Sequence, residues 1–452
     1  MKNDLMIIGS GPGGYRAAEY AAHKGLSVTI IEEKHAGGTC LNCGCIPTKT
    51  LCRNAEMIDS MKEAATYGIH HEGFSINYAS IKERKDSVVS QLRAGVETLM
   101  KAPGITFVQG RAVFKDSKTV VVNDEEYTAD NIFIATGSYA KMLPIEGIQH
   151  PSVITSTELL DIKQVPKKLC IIGAGVIGME MASVFNSFGS EVTVIEFLKE
   201  CLPVLDSDIA KRLRQTISKR GVNFIMQSGV KRILHPEGEG AKSIVVYERK
   251  GKEEQVEADV VLVATGRGAN VDGMGLENTG IEYSPKGIPV DDNMQTNVPG
   301  IYAIGDVNAR CMLAHAATFQ GIHAVNHILN ITDNIRLDIM PSAIFTYPEA
   351  ASVGLSEDQC KQQGIDYTCK KGYYRANGKA LAMNETDGLL KLIADSEGKI
   401  IGCHAYGAHA ADMIQEASAL MCRETTVQQL AEMVHIHPTL GEILVDTAMT
   451  AV

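Results

Sequence analysis

Apolar and polar positions along this chain form one arrangement that occurs twice. Residues 5–32 read LMIIGSGPGGYRAAEYAAHKGLSVTIIE: an apolar run, a glycine turn, an amphipathic stretch, a Lys-Gly stop, a second apolar run and a glutamate. Residues 169–196, LCIIGAGVIGMEMASVFNSFGSEVTVIE, repeat that order without a gap and agree at 12 of 28 positions. Short apolar runs bounded by glycine predict buried strands, and the helical period between them predicts an amphipathic helix. Two further runs, IFIATGS (132–138) and VLVATGR (261–267), each follow one repeat and predict its closing strand. GIYAIGDV (300–307) predicts a strand ending in Gly-Asp. Beyond Arg336 the pattern changes, with strand-like GLLKLIAD and KIIGCHAYG before helical ADMIQEASALMCRE and VQQLAEMV. The expected fold is therefore α/β, with two Rossmann-like dinucleotide-binding domains and a C-terminal α+β domain. The expected boundaries are 1–145, 146–270, a return segment 271–335, and 336–452.

Each repeat carries G-x-G-x-x-G between strand and helix: Gly9, Gly11 and Gly14, then Gly173, Gly175 and Gly178. Such glycines permit a tight turn, close approach of the backbone to a pyrophosphate, and close helix–strand packing. The helix start offers unpaired N–H groups and a partial positive charge to the phosphates. Glu32 and Glu196 each stand 23 residues after the first glycine, where a carboxylate can accept from a ribose diol. One such turn alone is weak evidence; two in register predict a chain that binds two dinucleotides. Asp306 is placed to accept from a polyol chain, although a Gly-Asp pair by itself reads as a plain turn.

Length and composition restrict the alternatives. A chain of 452 residues exceeds what one core usually supports, so two to four domains are expected. The net charge of -11 argues against nucleic acid or an anionic membrane as the main partner. The apolar runs are strand-sized and the first ends in glycines, so neither a membrane span nor a signal peptide is expected. Eleven cysteines spread along a long chain do not read as a secreted disulfide framework, and a cytoplasmic location is expected.

Three of those cysteines fall within six positions, in GGTCLNCGCIPTK (37–49). Spacing leaves the pairing open. Cys40 and Cys43 form a C-x-x-C redox spacing, Cys40 and Cys45 a wider pair, and all three with Cys52 could be read as a metal site. Cys45, two residues before Pro47 at a predicted helix start and near Lys49, is the sulfur best placed to be a stabilised thiolate.

GGTCLNCGCIPTK, the two fingerprints, both ATG strands, YAIGD and HPTLGE occur in the order and spacing of the pyridine nucleotide–disulfide oxidoreductases, which the chain resembles along essentially its whole length. The resemblance implies FAD on the first fingerprint and a nicotinamide nucleotide, NAD, on the second. It implies a redox disulfide between Cys40 and Cys45, with Cys43 standing where the family rarely has cysteine. It assigns Lys49 to the flavin edge, Glu180 to balancing that charge, His437 as catalytic base and Glu442 as the carboxylate orienting it. His435 is then a structural neighbour. FAD contacts are further implied at Gly38, Thr39, Ala112, Thr136, Gly137, Gly305, Met312, Leu313, Ala314 and His315, and NAD contacts at Val176, Val230 and Gly266. No metal is implied. The C-terminal domain is expected to make a homodimer in which His437 serves the other subunit's disulfide.

Within the family, VIEFLKECLP, MLAH and HIHPTLGEIL resemble the branch that oxidises dihydrolipoyl groups, whose partners are lipoylated acyltransferases or glycine-cleavage carrier proteins. The glutathione-reducing branch is the nearest rival. It reads NADPH with arginines, where this chain has Glu196 followed by Phe197, Leu198 and Lys199. A phosphate near Glu196 would be repelled by roughly 6 kcal/mol at an effective dielectric of about 20. That branch also gates its pocket with tyrosine, where Val176 stands here. Mercuric and large thioredoxin reductases end in a cysteine-bearing tail, which DTAMTAV lacks, and soluble transhydrogenase lacks one cysteine of the pair. A non-catalytic flavoprotein scaffold is disfavoured by the intact Cys40, Cys45, His437 and Glu442. The family more often has lysine and glutamate where Ala316 and Gln320 stand.

Overall fold

The computed structural model describes residues 2–238 and 240–451, and by contact the chain forms two compact units. Unit 1 comprises 1–50, 79–141 and 266–337; unit 2 comprises 51–78, 142–265 and 338–452.

Unit 1 is built on a sheet in which the strands Ile105–Gln109, Val28–Glu32, Lys2–Ile8, Glu125–Ile134 and Ile301–Ala303 lie side by side and parallel. Leu5 pairs with Val28 and Ile7 with Phe133, so the apolar run of the first repeat is the sheet's centre. Strands Thr119–Val122 and Val113–Phe114 extend it antiparallel. Such continuous apolar strands suit a sheet covered on both faces. The helix Pro12–His23, with proline in its first turn, connects the first two strands. It packs on the helix Ala314–Ile328 through residues that have almost no side chain. A Cβ at Gly13 would lie 3.1 Å from Ala317 O, and one at Gly321 3.0 Å from Ala17 Cβ.

Unit 2 holds the second repeat. Its strands Asn223–Ile225, Glu191–Ile195, Lys168–Ile172, Val260–Val263 and Val153–Ile154 form a parallel sheet, with the helix Val176–Ser187 crossing between Lys168–Ile172 and Glu191–Ile195. A separate antiparallel meander runs through Ser228–Leu234, Ser243–Arg249 and Lys252–Ala258. The C-terminal part is a five-stranded antiparallel sheet, ordered Ser342–Ile344, Glu349–Gly354, Ile400–Gly407, Leu389–Asp395 and Tyr367–Tyr373. Helices Ala410–Met421 and Glu442–Met449 bury Met413, Ile414, Ile443 and Leu444 in the core of this part. The architecture is thus two Rossmann-like units and an α+β C-terminal domain. Among the described residues no helix is long and apolar enough to cross a membrane.

Candidate active site and nucleotide-binding turns

Both glycine turns close to the limit that backbone allows. Gly9 has φ +103°, and a Cβ there would meet Ala135 O at 2.4 Å; Gly173, at φ +106°, would meet Ala264 O at 2.6 Å. A Cβ on Gly14 would lie 1.9 Å from Gly9 O, and one on Gly178 2.0 Å from Gly173 O. The middle glycines differ. Gly11 and Gly175 are the N-caps of their helices, and a Cβ on either would point into open space, with only Gly38 Cα at 3.9 Å from the first. Tight first and third glycines with an open second one form a cradle that a side chain would fill, so these residues fit the pyrophosphates of FAD and NAD.

The two acids close the turns in the same manner. Glu32 Oε2 accepts from Ser10 N at 2.9 Å and Ser10 Oγ at 2.7 Å, while Oε1 accepts from Lys34 N. Glu196 Oε2 accepts from Ala174 N at 2.6 Å and Oε1 from Leu198 N at 2.7 Å. Glu32 Oε1 and both oxygens of Glu196 each retain a lone pair for a ribose hydroxyl.

Other residues assigned from the sequence take the following places. Gly38 and Thr39 open the helix Gly38–Cys43, and a Cβ on Gly38 would lie 2.5 Å from Gly11 Cα. Ala112 is buried. Thr136 and Gly137 follow the strand Glu125–Ile134 and are fastened by Asn270, whose side chain donates to Thr136 O and whose N–H donates to Gly137 O. Asp306 lies in a short turn, Gly305–Asn308, and accepts from Ser138 Oγ at 2.5 Å. Leu313 caps the helix Ala314–Ile328, with Met312 before it and His315 in its first turn. In unit 2, Val176 opens its helix and Val230 lies on the strand Ser228–Leu234. Gly266, in unit 1, follows the strand Val260–Val263 at φ +112°. Glu180 is buried, and its Oε1 accepts from Phe345 N at 2.9 Å.

Cys40 is the third residue of the helix Gly38–Cys43, and Cys45 is the first residue of the helix Cys45–Glu63. The Cys40 side chain is hydrogen-bonded to Cys45. That bond, followed by burial, pushes the Cys40 thiol far above its ordinary value, against the pull of the Lys49 charge. Cys45 stands at a helix N-terminus, where the partial positive charge favours a thiolate. Among the described residues, no group of three or more His, Cys, Asp or Glu side chains could hold a metal ion.

His437 and His435 are held in opposite ways. His437 Nδ1 lies 2.8 Å from Glu442 Oε1, with the imidazole 79% exposed. Glu442 Oε2 accepts from Thr439 N, and this bond, then that to His437, holds the carboxyl below its usual range. An ionised partner at Nδ1 fixes the ring so that Nε2 faces outward. His435 is only 11% exposed, with Nε2 bonded to Glu416 at 2.8 Å and Nδ1 to Met433 O. Val434 and Ile436, between and beside them, are exposed apolar residues.

Sequence reasoning gave no structural role to several residues that organise these sites. Ser138 orients Asp306 and is itself held by Arg267, which donates through Nε to Ser138 Oγ and through a second nitrogen to Ser138 O. Gln320 Oε1 accepts from Gly305 N and Asn308 Nδ2, fixing the turn around Asp306. Gly44 lets the chain fold back, since a Cβ there would lie 3.2 Å from Cys40 Cα. Ser138 and Arg267 each follow an ATG run, which was the one available signal.

Comparison with known proteins agrees with this geometry. Residues 3–321 match the family described as pyridine nucleotide-disulphide oxidoreductase, and residues 340–448 match its dimerisation domain. The chain is 41% identical to a dihydrolipoyl dehydrogenase of Chlamydia muridarum, covering 99% of this chain and 97% of that one. It is 39% identical to the dihydrolipoyl dehydrogenase of Bacillus subtilis, covering 100% and 97%. A solved structure of the HOCl-induced flavoprotein disulfide reductase RclA from Escherichia coli, in a Cu(II) complex, superposes with a TM-score of 0.88 at 30% identity, covering 100% of this chain and 99% of that one. Two closed glycine cradles, a contacting cysteine pair and a C-terminal pairing domain thus occur in one chain that belongs to the pyridine nucleotide–disulphide oxidoreductase family, whose members use FAD and a nicotinamide nucleotide and pair as homodimers.

Proposed function

We infer that the chain is a dihydrolipoyl dehydrogenase, oxidising a dihydrolipoyl dithiol to the cyclic disulfide with reduction of NAD+ to NADH. The observation that carries this reading is the Cys40–Cys45 thiol contact at a helix N-terminus, in a chain so similar to enzymes of that name.

His437 Nε2 accepts the proton of one substrate thiol, which at neutral pH is otherwise mostly protonated. Glu442 keeps the imidazole in the accepting orientation. The substrate thiolate attacks Cys40 of the Cys40–Cys45 disulfide, forming a mixed disulfide and releasing Cys45 as a thiolate. The second substrate thiol then displaces Cys40, closing the oxidised ring, and Cys40 leaves as a thiol. The first glycine turn would hold FAD and the second NAD+, and together they would supply the acceptors for the electron pair that Cys40 and Cys45 yield as their disulfide re-forms and the Cys40 proton leaves. Lys49 supplies a positive charge that favours arrival of electrons, and Glu180 is the carboxylate that balances it.

The site roles of the remaining fingerprint and ATG residues are proposed as the sequence assigned them, as are the four segments 1–145, 146–270, 271–335 and 336–452. His437 of the second copy acts on this copy's disulfide. The protein partner is a lipoylated acyltransferase of a 2-oxoacid dehydrogenase complex, or a glycine-cleavage carrier protein, and the setting is cytoplasmic.

Side-by-side turnover tests the substrate. Dihydrolipoamide with NAD+ should be used at least roughly 10²-fold faster than glutathione disulfide is reduced. A dominant glutathione rate would move the chain to the rival branch.

A further inference from the structure

Three thiols stand within six residues, and the mechanism above uses two. Cys43 is the last residue of the helix in which Cys40 is the third. Residues three apart on a helix share a face, with Cβ atoms about 5–6 Å apart. C-x-x-C is also a spacing at which redox disulfides form. The chain next folds back onto Cys40. Gly44 takes φ -140°, ψ -111° and brings its own Cβ position to 3.2 Å from Cys40 Cα and 2.9 Å from Thr39 O. Cys43 and Cys45 therefore flank a residue that lies against the Cys40 backbone. None of the three cysteines is fully buried.

We propose that Cys43 is a second disulfide partner for Cys40. As a thiolate it attacks the Cys40 sulfur of the Cys40–Cys45 disulfide. The Cys40–Cys43 bond forms, the Cys40–Cys45 bond breaks, and Cys45 leaves as a thiolate. Cys43 gives up one proton to solvent, and no electrons enter or leave. Exchange proceeds most readily toward the leaving sulfur whose thiolate is best stabilised. Cys45 is that sulfur, because it begins the helix Cys45–Glu63 with Lys49 one turn further on. The oxidised enzyme then has two forms with the same electron count, and in one of them Cys45 is already a thiolate outside the disulfide.

The inference rests on the proposed role of Cys45 as the sulfur beside the flavin, and spectra separate the two claims. The fully oxidised holoenzyme, kept free of reductant, is scanned beyond the flavin band, quenched in acid, alkylated and peptide-mapped. Wild type should show a long-wavelength band and a Cys40–Cys43 peptide. Cys43→Ser, with unchanged flavin content, should lose both in the oxidised state yet gain the band on two-electron reduction. Coincident oxidised spectra together with only the Cys40–Cys45 peptide in wild type would overturn the proposal. A Cys43→Ser enzyme with no band after two-electron reduction would instead overturn the role given to Cys45. The peptide map still decides the Cys40–Cys43 bond in that case.

Discussion

Lys391 places its ammonium 2.7 Å from both carboxylate oxygens of Asp206, with 2% and 1% of the two side chains exposed. Asp206 also caps the helix Ser207–Lys219, accepting from Asp208 N. Glu357 shares the same ammonium. Removing one member of a buried ion pair leaves an uncompensated charge, which destabilises by about 3–5 kcal/mol. Lys391→Met should lower the unfolding free energy from urea titration by that order, and adding Asp206→Asn should recover part of the loss. Strictly additive losses in this double-mutant cycle would show that the two side chains do not act as a pair.

His404 adds a pH dependence to the same cluster. Its Nδ1 receives the Asp206 N–H at 3.4 Å, its Nε2 is buried with no partner among the described residues, and Lys391 and Asp206 are the charges beside it. Burial depresses the pKa of its ring below the ordinary value. A histidine depressed in the folded state takes up its proton first when unfolded. Stability is therefore fully present above about pH 6.5 and falls as pH drops from there toward the depressed value, by at most about 1.4 kcal/mol per pH unit for one proton. His404→Gln should flatten the stability–pH curve over that window. An unchanged slope would mean that His404 does not carry it.

The two histidines before Pro438 should separate cleanly. His437→Ala is expected to reduce turnover by about 10²–10⁴-fold with the melting temperature unchanged, because the ring is exposed and its loss empties no core. His435→Ala removes a part-buried bond to Glu416 and should destabilise by about 1 kcal/mol while turnover at low temperature changes little. Thermal melts and steady-state rates on both variants check this, and a reversed pattern would exchange their roles.

Cofactor choice should rest on Glu196. Its carboxylate, already fixed by Ala174 N and Leu198 N, faces an added phosphate with like charge. NADP+ should be used roughly 10²-fold or more less efficiently than NAD+, and Glu196→Ser should narrow that gap mainly through KM for NADP+. Equal kcat/KM for both cofactors in the unaltered enzyme would exclude the assignment.

The parts of this fold that were legible in the sequence are those where one residue type has one physical reason. Gly9, Gly14, Gly173 and Gly178 could be read because no other residue leaves room at those turns. The strands could be read because LMII and LCII are central and covered on both faces. The Lys391–Asp206 pair could not, since a lysine in GLLKLIAD reads as solvent-facing and its partner is 185 residues away. Gln320 was noticed only as a departure from the family, and its bonds to Gly305 and Asn308 give the reason for an amide there. Gly44, Gly13 and Gly321 escaped notice because a glycine needed for close approach has no pattern of its own until the neighbouring backbone is known.

The contact between Gly11 and Gly38 sets a limit on how this enzyme can be varied. One glycine belongs to the first nucleotide turn and the other opens the cysteine helix, and a Cβ on Gly38 would stand 2.5 Å from Gly11 Cα, backbone against backbone. A clash with a side chain can be relieved by trimming the neighbour, so a suppressor mutation exists in principle. Here the neighbour is already the smallest residue available, and no second-site change at the contact can make room. In a deep mutational library Gly38 should behave as a locus with a single permitted allele, intolerant in every genetic background that keeps the backbone course, whereas this contact leaves room for a Cβ on Gly11.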